Sequence, residues 1–152
     1  MIHETIAQNL AQFVVPMLRR PAHLQTAALC LRQKGKRREV LVITSRGTGR
    51  WILPKGWPMK GKTLAEAAAR EAWEEAGVRG YVSAEPVGSY FGRKMTDGGL
   101  GLRCQVYVYR VDVTGIDDDF KEAGQRRRKW VTPSRAAKMV QEPDLKALLR
   151  AI

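Results

Sequence analysis

The hydrophobic positions of this chain fall into short strand-like runs interrupted by a few helical stretches. The first stretch is helical: Ile6, Leu10, Phe13, Val14 and Met17 recur at three- and four-residue steps. Pro16 bends or ends that helix. Residues 1–20 therefore read as a separate amphipathic segment that packs on the domain or on a second copy, with a membrane-surface helix as the lesser reading. Thr26–Arg32 then reads as a buried strand and Val40–Thr44 as a second. The basic turn Gln33–Arg38 between them predicts a β-hairpin with a longer loop. Ser45–Arg50 is a further turn, Trp51–Leu53 a short strand and 64–76 a helix. Strands follow at Tyr81–Ala84 and near Val87–Phe91, and the tip Thr96–Gly99 has turn chemistry. Leu102–Val111 is the clearest strand: Leu102, Cys104, Val106, Val108 and Arg110 alternate with Arg103, Gln105, Tyr107, Tyr109 and Val111. Lys129–Val131 is a last short strand, Pro133 opens a helix, and Asp144–Ala151 gives a second amphipathic one. Strands mixed with a few helices predict an α/β or α+β domain on a mixed sheet, spanning 21–152.

The 152 residues are 44% hydrophobic, enough for a core without disulfides or a structural metal. Cys30 and Cys104 lack the CxxC spacing of a zinc or redox site and read as half-buried reduced thiols. No apolar run approaches the ~20 residues of a bilayer span. The start Met1-Ile2-His3-Glu4 has no signal-peptide pattern. These features predict a cytoplasmic protein. The net charge of +12 attracts polyanions: phosphate-rich metabolites, nucleic acid or anionic membrane.

The helix over 64–76 carries the chemistry. Thr63 and Glu66 form a capping box at its start, and Gly77 supplies a left-handed residue at its end. Ala65, Ala69, Ala72 and Ala76 make a stripe of small residues that lets the helix lie close to a sheet. Glu71, Glu74 and Glu75 share another stripe, where like charges repel. A divalent cation reverses the sign of that repulsion, and hard carboxylate ligands suit Mg²⁺ or Mn²⁺. The alternative is a solvated salt-bridge ladder through Glu66, Arg70 and Glu74. Upstream, Leu53–Lys62 packs two glycines, two prolines and three lysines into ten residues. Such a loop, feeding a helix N-terminus, suits anions. An anion-binding loop beside a cation-binding helix fits a metal-bridged diphosphate.

With these residues the chain resembles the Nudix hydrolase family, whose box reads G-x5-E-x7-R-E-U-x-E-E-x-G-U with U apolar. Gly56 takes the first position, and Arg70–Val78 matches the whole second half. Lys62 departs from the pattern, standing where the family has Glu. The resemblance implies an α/β/α sandwich and a metal-dependent phosphohydrolase. It implies Glu74 and Glu75 as main metal ligands, Glu71 as a further ligand or general base, Arg70 as the residue orienting the carboxylates, and Gly56 as shaping the loop. The family often adds an acid from a distant loop; Glu122 is the candidate and Asp119 the reserve. Lys62 either holds a substrate phosphate or is a solvated lysine.

Trp51–Gly56, and Arg128–Val131 followed by the Pro133–Val140 helix, are similar to the branch acting on diphosphoinositol polyphosphates and diadenosine polyphosphates. Lys55, Lys60, Lys62, Arg46, Arg50, Arg93 and Arg103 are candidate phosphate contacts that together form a rim around the site, although each alone reads first as a plain surface residue. Tyr90 and Phe91 read either as core or as a stacking platform for a base. Trp73 and Trp130 read as packing, and the run Arg126–Lys129 as a solvated turn. His3 and His23 offer no partner for a nucleophilic triad. The basic residues are not interleaved with aromatics as in single-strand binders, which disfavours nucleic acid, although an RNA 5′-end pyrophosphohydrolase remains an alternative. A second alternative, motivated by Lys62, is a catalytically weak binding or regulatory module. The small-molecule polyphosphate reading leads, with a homodimer suggested by the N-terminal segment.

Overall fold

A computed structural model describes residues 22–95 and 101–152 of the chain. The N-terminal helix expected within 1–20 and the turn expected at Thr96–Gly99 lie outside the described residues.

Eight strands form one mixed sheet among the described residues. They are β1 (His23–Lys34), β2 (Arg37–Thr44), β3 (Trp51–Ile52), β4 (Lys55–Gly56), β5 (Val78–Val82), β6 (Gly88–Met95), β7 (Gly101–Ile116) and β8 (Arg128–Val131). Three helices pack on it: α1 (Leu64–Ala76), α2 (Pro133–Met139) and α3 (Pro143–Arg150). The spine runs β3-β2-β1-β7-β5, with β4 on β1, β6 on β7 and β8 on β2. β1 and β7 pair in parallel, from His23 opposite Cys104 to Leu31 opposite Asp112. The other pairs are antiparallel.

Both faces of the sheet are covered, giving the expected α/β/α sandwich. On one face Leu29, Leu31, Cys104, Val106 and Val108 pack with Ala136, Ala137, Val140, Leu145 and Leu149 of α2 and α3. On the other, Ala28, Cys30, Leu41, Ile43, Tyr109 and Val111 pack under α1. The alternation read along Leu102–Val111 is therefore correct, and each side of that strand meets its own helical layer. The stripe of α1 that meets the sheet is Ala65, Ala68, Ala72 and Ala76. Ala68 takes the place expected for Ala69, which is only partly buried.

Several local features differ from the expectations. The β1–β2 hairpin closes tightly, with Lys34 opposite Arg37 and Gly35 at φ 61, so the basic loop is short. Both cysteines are fully buried rather than half-buried, and burial pushes the Cys30 thiol up to about 12. Lys55–Gly56, expected as loop, forms β4 against Thr26 and Ala27. β4 lies beside the end of β1 where the register with β2 is not formed, and this seats the glycine-containing loop on the sheet. The run Arg126–Lys129 is only partly the solvated turn expected: Arg127 and Lys129 are exposed, whereas Arg126 and Arg128 turn inward. Arg128 donates to the carbonyls of Ala76 and Asp117 at 2.8 Å each, closing the C-terminus of α1, and Arg126 is buried. No helix among the described residues is long and apolar enough to cross a membrane.

Candidate active site

α1 starts and stops where its local chemistry dictates. Thr63 Oγ1 accepts from the Glu66 amide at 3.1 Å, and Glu66 accepts from the Thr63 amide at 2.9 Å. Such a cap contributes about 1 kcal/mol. Gly77 ends the helix at φ 69, φ/ψ space that side chains rarely adopt. Between these ends Glu71 and Glu75, one turn apart, point back towards β4.

Glu75 is nearly buried, at 3% exposure, and both its oxygens are engaged. Oε1 accepts from the Lys55 amide at 3.0 Å, which ties α1 to the glycine loop. Oε2 lies 2.6 Å from the Arg126 guanidinium. Glu71 hydrogen-bonds Glu75 and is pressed against Gly56, where any Cβ would overlap its carboxylate. Burial first, then the neighbouring Glu75, Glu74 and Glu122 carboxylates, push Glu71 up to about 8. Burial also raises Glu75, opposed by Arg126 and by the bonds from Glu71 and the Lys55 amide. Both carboxyls are thus pushed towards protonation, the condition for sharing a proton between them.

Glu122 closes the site from the loop after β7. Its amide donates to the Glu74 carbonyl at 3.0 Å, and its carboxylate lies 3.5 Å from Arg126 and 3.6 Å from Arg46. Asp119, the reserve, is exposed. Glu74 is turned aside: it accepts from Arg70 Nε at 2.8 Å and lies 3.6 Å from Lys121. Arg70 therefore orients Glu74, not the inner pair.

The basic residues separate into two groups. Lys55 is largely enclosed, its Nζ donating to Gln25 Oε1 at 3.0 Å. Burial lowers its pKa, and the charges of Lys94 and Arg50 lower it further against the opposing charge of Glu75. Arg50 pairs with Glu142 at 2.5 Å and lines a cavity of about 540 Å³ with Phe91, Arg93 and Arg103. Arg103 stacks on Phe91 at 4.2 Å, while Tyr90 is buried in the core; only Phe91 is available as a platform. Lys60 and Lys62 are exposed, and Lys62 acts on Glu66 rather than on the inner acids. Arg46 donates to Gln125 at 2.9 Å beside Glu122. Sequence reasoning missed Gln25, Lys94, Arg126 and Glu142. Strand alternation from buried Tyr90 was the available signal for Lys94; nothing local marked the others.

The donor set fits a hard divalent cation. All the candidate ligands are carboxylates, and the inner two are close enough to need a shared proton. Glu71 and Glu75 would hold such an ion, with Glu74 and Glu122 the acids nearest to complete the set. Among the described residues no three of these groups already form a closed cage, because Glu74 is drawn to Arg70 and Lys121.

The NUDIX domain family matches residues 22–151. Nudix hydrolase 12, mitochondrial, of Arabidopsis thaliana is 35% identical over 105 residues, covering 66% of this chain and 51% of that protein. This chain thus spans about half the length of that relative. Diphosphoinositol polyphosphate phosphohydrolase 3-beta of Homo sapiens is 31% identical over 119 residues, 77% of this chain and 68% of the relative. An Ap4A hydrolase of C. elegans shares the fold, with a TM-score of 0.60 at 18% identity, covering 85% of this chain and 94% of that one. With the box on α1, the loop at Gly56 and a match along nearly the whole described chain, the protein belongs to the Nudix family.

Proposed function

We propose that this chain is a Mg²⁺-dependent phosphohydrolase, with Mn²⁺ the alternative metal, that cleaves a diphosphate linkage in a small polyanionic substrate. The class is diphosphoinositol polyphosphates or diadenosine polyphosphates. The observation that carries the reading is the Glu71–Glu75 pair seated on Gly56 and bonded to the Lys55 amide, with the Lys55 ammonium enclosed nearby under the influence of Lys94 and Arg50. Acids for a cation and cations for phosphate are adjacent, as a diphosphate requires. The relatives named for diphosphoinositol polyphosphates support the substrate class.

A divalent cation, when bound by Glu71, Glu74 and Glu75, supplies positive charge to the diphosphate oxygens. The chain's own groups do the rest. Lys55, at the edge of β4, places a positive charge where phosphoryl oxygens arrive, and Gln25 fixes its ammonium. Gly56, lacking a side chain, leaves room for the Glu71 carboxylate against β4. Glu122 is the proposed proton acceptor for the attacking water, held near the inner pair by Arg126 and Arg46. Arg93 and Arg103 bind the distal phosphates in the cavity beside Arg50. Lys60 and Lys62 add charge at the rim. The buried thiols of Cys30 and Cys104 suit a reducing compartment such as the cytoplasm. Residues 1–20 are proposed as a segment apart from the domain over 21–152, packing on that domain or on a second copy of the chain.

A substrate panel with Mg²⁺ tests this reading: diphosphoinositol pentakisphosphate, diadenosine tetraphosphate, ADP-ribose, a nucleoside triphosphate and a 5′-triphosphate RNA. The first two should be turned over at least tenfold faster than the others. Preference for the RNA would replace the reading with the end-processing one.

A further inference from the structure

The proposed reaction uses Arg126 only to hold Glu122, yet its guanidinium also meets Glu75. Arg126 is 9% exposed and sits in a run of four cations whose other members reach the surface or the end of α1. Its Nη1 donates to the Thr44 carbonyl at 3.1 Å, which anchors the guanidinium to β2. Its Nη2 lies 2.6 Å from Glu75 Oε2 and 3.5 Å from Glu122. Its Nε has no partner among the described residues. With the Lys55 amide on Oε1, both oxygens of Glu75 are engaged by the protein itself.

A buried carboxylate without a counter-charge is strongly destabilising. Arg126 provides that charge, and a guanidinium cannot lose it by deprotonation. The same permanence makes it a rival for any second cation approaching Glu75, because like charges repel at short range in a poorly solvated site.

We infer that Arg126 is the resident counter-cation of Glu75: it pairs with and orients the carboxylate in the absence of a metal, and it competes with a divalent cation for it. The inference rests on the reading of Glu75 as a metal ligand. Metal binding is weaker than the carboxylates alone would give, and the empty site stays folded. Arg126 is thus a positioning residue, acting through Glu75 on the metal.

The test compares wild type with Arg126→Gln and Arg126→Lys in thermal unfolding with and without saturating Mn²⁺, and in Mn²⁺ titration followed by the electron paramagnetic resonance of the free ion. Arg126→Gln should lower the Tm of the metal-free protein, and Mn²⁺ should restore most of the loss. Its Mn²⁺ Kd should tighten about five- to tenfold. Arg126→Lys, whose single ammonium cannot hold Thr44 and Glu75 together, should tighten the Kd by less and carries the test if Arg126→Gln does not fold. An equal Tm loss with and without Mn²⁺ would assign Arg126 a purely structural part and overturn the inference. So would an unchanged or weaker Kd in the foldable variants. Wild-type protein that binds no Mn²⁺, with variants that bind none either, would instead overturn Glu75 as a ligand.

Discussion

Gly56 and Glu71 are in direct contact: the carboxylate rests on the glycine so closely that no side chain fits between them. This contact joins β4 to α1 and fixes where the inner acid sits. Gly56→Ala should displace Glu71 and cost ~1–3 kcal/mol of stability by overpacking. A shift of ~1 Å at a reacting group costs about 100-fold in rate. The expected result is a fall of that size in kcat/KM, with a modest drop in the urea midpoint. Full turnover in Gly56→Ala would remove the contact from the functional account.

The proton on Glu71 gives the metal-free protein a defined pH dependence. An unfolded glutamate titrates near 4.3, whereas in the fold Glu71 is pushed up to about 8 by burial and then by Glu75. Between those values the unfolded state has released a proton that the folded state keeps, so stability falls as pH rises. The contribution is complete below the unfolded value and lost as pH rises through about 8. Tm measured in EDTA should therefore decline over this window. Glu71→Gln should flatten the decline, and saturating Mg²⁺ should reduce it by favouring the ionised pair. A flat wild-type profile in EDTA would contradict the shared proton.

Arg93 and Arg103 stand directly opposite each other on β6 and β7. Like charges so placed destabilise a sheet by a few tenths of a kcal/mol, and a bridging phosphate relieves the repulsion. Arg93→Ala should raise KM for a polyphosphate substrate several-fold and leave kcat nearly unchanged, the pattern of a residue that binds ground and transition states alike. The substrate-free protein should be no less stable. The KM effect should shrink at high salt, where exposed charges are screened. A change confined to kcat would place Arg93 elsewhere in the reaction.

Most of α1 was legible in the sequence because its signals are local. Thr63, Glu66 and Gly77 lie within one helix, and their capping pattern needs no tertiary knowledge. The strands were legible for the same reason, although their ends and the tight turn at Gly35 were not. Partnership was hidden: the parallel pairing of β1 with β7 joins residues about eighty positions apart, and β4 exists only because β1 offers it an edge. The acidic side of the site was legible as a stripe, yet its division was not. Glu74 turns out to Arg70 while Glu71 and Glu75 turn in, a choice made by Gly56, the Lys55 amide and Arg126. Arg126 looked like its neighbours in a basic run. Only the packing of the loop against Thr44 makes it a buried ion.

The most direct test of the central claim is hydrolysis of diphosphoinositol pentakisphosphate and diadenosine tetraphosphate by wild type and Glu75→Gln, each with Mg²⁺ and with EDTA. Wild type should turn over both substrates in Mg²⁺ and not in EDTA, and Glu75→Gln should lose about 1,000-fold or more, as expected on removing an essential charge from the transition state. Turnover that persists in EDTA, or that Glu75→Gln leaves undiminished, would contradict it.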